Sequence, residues 1–299
     1  MPRNIKSYTI LLLAAFLAIS SKIHANGVQD SLVFLTPGNL AFYVETESAS
    51  YTQPSTFAEL PDSLSKYEKF TDELSALIEY FENKGFDLAE LFSRPEFEVY
   101  EGIGDRFRQS VERKSRSLED YKKILQFEDK KSRMDEFIAS HHHHLKKAEE
   151  KYGISKYVIS AIIAVESDYG TKTGRYNPFN SYVSMYIEDY RSDFARAQLE
   201  ELLIFTQKNN LDVFELKSSY AGAVSAAQFI PYSLNRWFVG DDIFDMSYNI
   251  LSVANYLSYF KNITGTIEKA VHRYNPSTLY TQTVMDLANE AEKLFQNTD

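Results

Sequence analysis

The chain has no cysteine among its 299 residues. That absence excludes disulfides, cysteine–metal sites, a thiol nucleophile and a thioether-linked lipid, so no stable lipid anchor is expected. Basic residues are also in deficit, 32 against 42 acidic, which gives a net charge of −10. Because a nucleic-acid-binding protein needs a basic face, no nucleic-acid partner is expected. With 44% hydrophobic and 25% charged residues, the composition is that of a folded globular chain.

Aromatic residues, by contrast, are abundant. Tyrosine and phenylalanine occur 21 times each, and aromatic residues make up 14% of the chain although tryptophan occurs once. A tyrosine ring offers an apolar face with a polar tip, which suits a surface that contacts both the faces and the hydroxyls of a ligand ring.

The first 25 residues have the pattern of a secretory signal. Arg3 and Lys6 precede an apolar run from Tyr8 to Ile19, and a small-residue cleavage site ends at Ala25. The run is shorter than the about 20 apolar residues that a membrane-spanning helix needs. We therefore predict a signal peptide over residues 1–25 and a periplasmic or secreted protein. The alternative is an uncleaved anchor.

The remaining chain divides into an extension and a helical region. Prolines at 37, 54 and 61 mark residues 26–65 as a linker or loosely packed extension. From about Tyr67 onward, apolar residues recur at helical spacings. The pattern predicts helices over residues 67–85, 87–92, 118–127, 134–152, 156–169, 193–209, 223–238, 248–260, 266–274 and 280–295. The predicted fold is mainly α, with little or no sheet.

Four successive histidines, His141 to His144, suggest a metal site. On a helix only the first and last of them share a face, and two ligands without a nearby carboxylate or cysteine make a weak site. A polar stretch of a solvated helix is the favoured interpretation, so no metal site is predicted.

The helix predicted over Lys156–Tyr169, which Gly170 ends, carries a glutamate on its apolar face. Isoleucines lie seven, four and three residues before Glu166, so all four side chains share one face. A carboxylate there is costly unless it is paired or functional, and desolvation raises its pKa towards that of a general acid. A half-exposed boundary glutamate explains the pattern equally well. The stripe alone does not decide between the two.

Two further segments combine polar and aromatic side chains. In Ser218–Trp237 a run of small residues ends abruptly at Gln228, whose amide offers both a donor and an acceptor. In Ala270–Tyr280 a tyrosine and an asparagine precede a proline turn. Such side chains suit a saccharide, but taken alone the second segment is explained at least as well by helix capping and core packing.

Four motifs occur in the order AVESDYG, SYAGAVSAAQFIPYS, SVANYLSYF and HRYNPSTLY, with GFDLAELF and EEKYGIS upstream. Together they resemble the lytic murein transglycosylases of the membrane-bound lytic transglycosylase B family. The resemblance spans roughly residues 75–295. One such motif is weak, but four in order are specific.

The resemblance implies a lysozyme-like helical catalytic core around a peptidoglycan cleft, over residues 151–299, with a helical subdomain over 66–150. It implies peptidoglycan glycan strands as the substrate and other cell-wall enzymes as a further class of partner. It makes Glu166 the catalytic residue. The substrate-binding residues that it implies are Arg191, Ser219, Gln228, Tyr256, Tyr274, Asn275 and Tyr280.

The same resemblance implies a mechanism with one carboxylate and no cofactor. Glu166 would protonate the glycosidic oxygen and then deprotonate the C6 hydroxyl of the muramic acid, leaving a 1,6-anhydro end. Polar side chains would orient the acetamido and hydroxyl groups, and Tyr256 and Tyr274 would flank the sugar rings.

The chain departs from the family pattern in two places. Ser225-Ala226-Ala227 stands where the family usually has Gly-Tyr-Gly, which would reshape the cleft floor. The stretch from Gly240 to Asp245 is too short for a 12-residue EF-hand loop, so no calcium requirement is predicted.

Two alternative functions stay open. One is a hydrolytic muramidase, which a second carboxylate such as Asp168 or Asp193 would favour. The other is a non-catalytic peptidoglycan-binding scaffold, for which the altered floor is the support.

Overall fold

A computed structural model of the protein describes residues 34–36, 40–42, 62–108, 115 and 117–296. The predicted signal peptide and most of the predicted extension lie outside the described residues. Within them, two short 3-10 helices span Asp62–Phe70 and Val213–Glu215. The α-helices there are α1 Thr71–Glu82, α2 Leu88–Ser93, α3 Ile103–Arg108, α4 Leu118–Ile124, α5 Phe127–Ser140, α6 His142–Tyr152, α7 Lys156–Ser167, α8 Pro178–Ile187, α9 Ser192–Asn209, α10 Pro231–Trp237, α11 Met246–Thr264, α12 Ile267–Tyr274 and α13 Thr278–Gln296.

Extended structure is sparse, which confirms the mainly α prediction. Strands β1 Phe34–Thr36 and β2 Leu40–Phe42 pair antiparallel within the segment that was predicted to be an extension. Elsewhere in the described part of the chain, isolated bridges join Tyr176 to Ser218, Ser218 to Val224, and Val224 to Phe229. The division into a subdomain and a core stays a prediction.

The buried helix α7 is the centre of the fold. Every residue from Val158 to Ala164 is buried, and helices α5, α6, α11 and α13 all pack against α7. The Ser155 hydroxyl caps its first turn by accepting from the Tyr157 amide at 3.3 Å. Because residues 158–164 are buried on every side, the half-buried carboxylate of Glu166 becomes partly accessible only where α7 ends.

The single helix predicted over residues 134–152 is in fact two. Helices α5 and α6 meet at His141, whose backbone angles (φ −115°, ψ 19°) are not helical. Helix α5 packs on α7 and α13, whereas α6 packs chiefly on α11. The chain bends between these two sets of contacts, and the four histidines do not lie on one helix.

The helix predicted over residues 223–238 is wrong in its first half. Residues 223–230 form a tight loop, and α10 begins only at Pro231. Ser225 and Gln228 adopt left-handed angles, with φ of 69° and 50°, which no helix allows. The small residues therefore serve close packing rather than helix formation.

Helices α3 and α8 were not predicted from the sequence. Pro178 reads as a turn residue, yet it occupies the first turn of α8, where its missing N–H costs nothing. The Asn177 side chain caps this turn by accepting from the Asn180 amide at 3.1 Å.

No helix in the described part of the chain combines the length and apolarity that crossing a membrane requires.

Candidate functional site

Glu166 lies in the last turn of α7 and is half-buried. The Tyr280 hydroxyl, from the first turn of α13, donates to Glu166 Oε1 at 2.7 Å. Burial, followed by the Glu166 charge, raises the pKa of Tyr280 well above its usual range. Tyr280 therefore stays protonated over the working pH range and remains a donor to the carboxylate.

Tyr256 and Tyr274 lie beneath this glutamate and are 2% and 1% exposed. The Tyr256 hydroxyl donates to the Arg273 carbonyl at 2.7 Å, and the Tyr274 hydroxyl donates to the Ala227 carbonyl at 2.5 Å. Burial raises the pKa of both, with a further contribution from the Glu166 charge. Their ring faces are covered by protein, so in this structure they support the site and do not flank a ligand ring.

The loop of residues 218–230, which we call the floor, is joined to this group by the Tyr274 hydroxyl, which donates to the Ala227 carbonyl. The Ser219 amide donates to the Ala223 carbonyl at 2.9 Å, and the Ala223 amide donates back to Ser219 Oγ at 3.3 Å. The Gln228 side chain is 4% exposed, and its amide nitrogen donates to the carbonyls of Ser225 (2.8 Å) and Thr173 (3.2 Å). Gln228 thus ties the floor to the loop that follows α7.

Asn275 follows α12 and is 2% exposed. Its carbonyl accepts from the Ser277 amide at 2.8 Å, while its side-chain oxygen has no hydrogen-bond partner within the described residues.

Arg191 lies at the start of α9 with its guanidinium 4.7 Å from the centre of the Phe194 ring, and burial lowers its pKa. The contacts above join the floor, the tyrosines and Glu166, but they do not join Arg191 to that group.

Gly174 brings the loop after α7 against the floor, which sequence analysis did not anticipate. Its φ of +106° is one that side chains rarely adopt. A Cβ there would lie 2.0 Å from the carbonyl oxygen and 2.1 Å from the carbonyl carbon of Ser218. The approach continues into the bridge between Tyr176 and Ser218, whose amides each donate to the other's carbonyl at 3.0 and 2.7 Å.

A second feature not anticipated is a buried ionic cluster at the C-terminal end of α7. Asp168 accepts from Lys130 Nζ at 3.0 Å, from Arg133 at the same oxygen, and from Lys172 Nζ at 2.9 Å. The side chains of Lys130 and Asp168 are 6% and 9% exposed. Lys130 and Arg133 belong to α5, so the cluster connects α5 with the end of α7. Since the carboxylate oxygens of Asp168 are engaged by cations, it is poorly placed to serve as a catalytic base.

The cluster predicts a pH-dependent stability. Burial acts to raise the pKa of Asp168, but hydrogen bonds from Lys172, Arg133 and Lys130 outweigh it and hold the pKa well below its usual range. A depressed folded-state pKa stabilises the fold above the unfolded value of 3.8 and loses that effect as pH falls below it. We expect Asp168→Asn to cost about 3–5 kcal/mol near neutrality, because it leaves Lys130 buried without its partner.

The measurement is urea unfolding of both proteins from pH 7 to pH 3. The free-energy difference should be constant down to about pH 4 and should shrink below it. A difference that grows as pH falls would contradict the assignment.

The described residues contain no group of three or more histidine, aspartate or glutamate side chains able to hold a metal ion.

The helical fold, with the half-buried carboxylate of Glu166 at the end of its central helix, is of the lysozyme-like class. The family model for the transglycosylase SLT domain matches residues 69–266, about two thirds of the chain. The chain belongs to this transglycosylase SLT domain family.

Individual relatives agree with that assignment. Membrane-bound lytic murein transglycosylase B of Escherichia coli (strain K12) is 30% identical over 119 residues, which are 38% of this chain and 33% of the relative. The match therefore spans about a third of the curated relative's length. The crystal structure of the soluble lytic transglycosylase SltB1 from Pseudomonas aeruginosa has a TM-score of 0.66 at 23% identity, covering 75% of this chain and 99% of that one.

SltB3 from Pseudomonas aeruginosa, solved in complex with NAG-NAM-pentapeptide, has a TM-score of 0.65 at 19% identity, covering 75% of this chain and 79% of that one. At these identities the two solved structures show the fold.

Proposed function

We propose that the protein is a peptidoglycan lytic transglycosylase that cleaves the β-1,4 bond between N-acetylmuramic acid and N-acetylglucosamine and leaves a 1,6-anhydro end. The observation that carries the proposal is the single carboxylate of Glu166 at the end of a buried helix, held by Tyr280 above a polar floor. Membership of the transglycosylase SLT domain family supports it. So does the NAG-NAM-pentapeptide complex of SltB3.

The proposed reaction begins with protonated Glu166 donating to the glycosidic oxygen. The bond from that oxygen to C1 of the muramic acid breaks, and the acetamido group of the same sugar stabilises the resulting positive charge. Ionised Glu166 then takes the proton of the C6 hydroxyl of the muramic acid, and the oxygen of that hydroxyl bonds to C1. Glu166 ends protonated again, and no water or cofactor is consumed.

Within this proposal the floor residues have two kinds of role. Ser219, which is partly exposed, orients the acetamido and hydroxyl groups of the substrate, whereas the buried Gln228 and Asn275 support the floor and the turn beside it. Arg191 faces the peptide stems of the substrate. Tyr274 holds the floor through its hydrogen bond to the Ala227 carbonyl, and the Tyr256 ring packs on Phe229 of the floor.

A hydrolytic muramidase is less well supported, because a second carboxylate is needed to activate water. Asp168 is engaged by three cations. Asp193 is 84% exposed and pairs with Arg196 at 3.2 Å. Neither of these two candidates is presented as a base.

Mass spectrometry of the fragments released from purified sacculi tests the proposal. Fragments one water molecule lighter than hydrolysis products would support anhydro formation. Fully hydrated reducing ends would identify a muramidase. Binding to sacculi without release of any fragment would identify the scaffold.

We further propose that residues 1–25 export the protein to the periplasm or the exterior, where glycan strands and other cell-wall enzymes are its partners. Sequencing the N-terminus of the protein purified from cells tests this. A mature chain that still begins at Met1 would contradict cleavage.

Tyr280→Phe tests the contact to the catalytic carboxylate. A hydrogen bond to a charged group stabilises that group by about 1.5–3 kcal/mol. If the ionised Glu166 loses this stabilisation, kcat should fall about tenfold or more. The matched control is Tyr80→Phe, which removes a 3.1 Å hydrogen bond from a tyrosine to Glu200 between α1 and α9. Steady-state assays on soluble glycan strands measure both variants. Equal kcat values for the two variants would show that the contact to Glu166 contributes no more to catalysis than the contact between Tyr80 and Glu200.

A further inference from the structure

The chain reverses through a strained turn directly after the proposed catalytic glutamate. Asp168, Tyr169 and Gly170 have φ of 53°, 59° and 84°, three successive residues in the left-handed region. Only glycine adopts this region without steric cost. Aspartate tolerates it better than most residues, so the cost falls chiefly on Tyr169, and such a conformation persists only where surrounding contacts enforce it.

Both side chains of this turn are held by α5. Asp168 is engaged by Lys130 and Arg133 of α5, and by Lys172 from the following loop. The Tyr169 hydroxyl donates to the Lys130 carbonyl at 2.6 Å. Its ring packs on Phe137, with centroids 4.9 Å apart, and lies 5.2 Å from the Arg133 guanidinium carbon. The turn is thus fixed from one side of α7 by α5.

Glu166 is held by a different helix, α13. Its carboxylate accepts from Tyr280, and α13 packs along α7. The backbone links the two: the Asp168 amide donates to the Ala164 carbonyl at 3.0 Å and the Tyr169 amide to the Ile163 carbonyl at 3.3 Å. The last turn of α7, which carries Glu166, is closed by the same two residues that α5 holds.

We propose that Asp168 is a positioning residue for Glu166: by engaging Lys130, Arg133 and Lys172 it fixes the turn that closes α7 and so sets the direction of the Glu166 side chain. This inference rests on the proposed function for its catalytic consequence. It assigns Asp168 no contact with substrate. Its role is geometric, and misplacement of a catalytic group by about 1 Å can cost about 100-fold in rate.

The test uses Asp168→Asn and the double variant Asp168→Asn with Lys130→Met. Asparagine tolerates the left-handed conformation and has nearly the same shape, so the single variant removes the charge and turns one acceptor oxygen into an amide donor. The double variant also removes the buried ammonium that would otherwise be left uncompensated. Asp129→Asn is the matched control, since it removes only the partly exposed partner of Arg133.

Assays well below the unfolding temperature separate positioning from stability. We expect both Asp168 variants to lose about 10- to 100-fold in kcat with KM unchanged, although the double variant regains stability. Asp129→Asn should retain wild-type kcat. Wild-type kcat in the double variant would overturn the inference and leave Asp168 as a structural residue only.

A readout independent of activity is the carboxyl carbon resonance of Glu166 in protein labelled with carbon-13 glutamate, identified by its absence in Glu166→Gln. The resonance should shift or split in both Asp168 variants and stay unchanged in Asp129→Asn. An unchanged resonance in the Asp168 variants would refute positioning. This result is obtained even if the wild-type protein releases no anhydro fragments, an outcome that would refute the proposed function alone.

Discussion

Glu166→Gln is expected to abolish the release of anhydro fragments from sacculi. Glutamine has nearly the same shape as the carboxylic acid and can still accept from Tyr280, but it can neither donate the proton nor take one back. General acid–base catalysis contributes about 10²–10⁴-fold, and here one group would perform both steps. We therefore expect a loss at the upper end of that range, measured as the initial rate of soluble fragment release.

The control for this variant is Glu268→Gln, an exposed glutamate in the first turn of α12. It makes the same change of charge and should retain wild-type activity. Thermal unfolding should show that Glu166→Gln is folded, and pelleting with sacculi should show that it still binds. Fragment release at the wild-type rate would mean that another group is the acid, and the single-carboxylate mechanism would fall.

The helices around the site could largely be predicted from periodicity. Helix α7 ends two residues before the position predicted for it, and the isoleucine stripe leads to Glu166 as expected. In the structure the Tyr280 hydroxyl donates to that glutamate, whereas the family resemblance implies that Tyr280 binds the substrate. Apolar spacing predicts which face of a helix is buried. It does not say which side chain from 114 residues away will meet the carboxylate.

The floor and the ionic cluster could not be predicted for physical reasons. A run of small residues is compatible both with a helix and with a loop that lets two backbones approach closely. Only the positive φ angles of Ser225 and Gln228 show that this run is a loop. Lys130 and Arg133 read as ordinary solvated charges on α5. Their contacts with Asp168, 38 and 35 residues away, follow from the packing of α5 on α7.

Gly174→Ala is expected to lower the free energy of unfolding more than the addition of a methyl group anywhere else in the site. The added Cβ would lie 2.0 Å from the Ser218 carbonyl oxygen and 2.5 Å from the Ser219 amide nitrogen. These are backbone atoms, so no side chain can rotate away to make room. Strain at positive φ costs about 1–2 kcal/mol and overpacking about 1–3 kcal/mol, so unfolding free energy should fall by about 2–5 kcal/mol. Urea unfolding monitored by circular dichroism measures the loss.

The appropriate comparison is Gly265→Ala, at the end of α11. Gly265 also has a positive φ, +87°, but among the described residues no atom beyond its chain neighbours lies within 4 Å of its added Cβ. It should lose only the strain, about 1–2 kcal/mol, and keep its activity because it is outside the floor. Any further loss of unfolding free energy in Gly174→Ala then measures the contact with Ser218.

The same contact predicts a functional effect. The floor can accept the methyl group only by moving Ser218 and Ser219, so the folded fraction of Gly174→Ala should cleave glycan more slowly. Equal stability and activity in the two variants would mean that the floor loop is mobile enough to absorb the methyl group. In that case the tight Tyr176–Ser218 bridge would not be what holds the proposed substrate-binding floor in place.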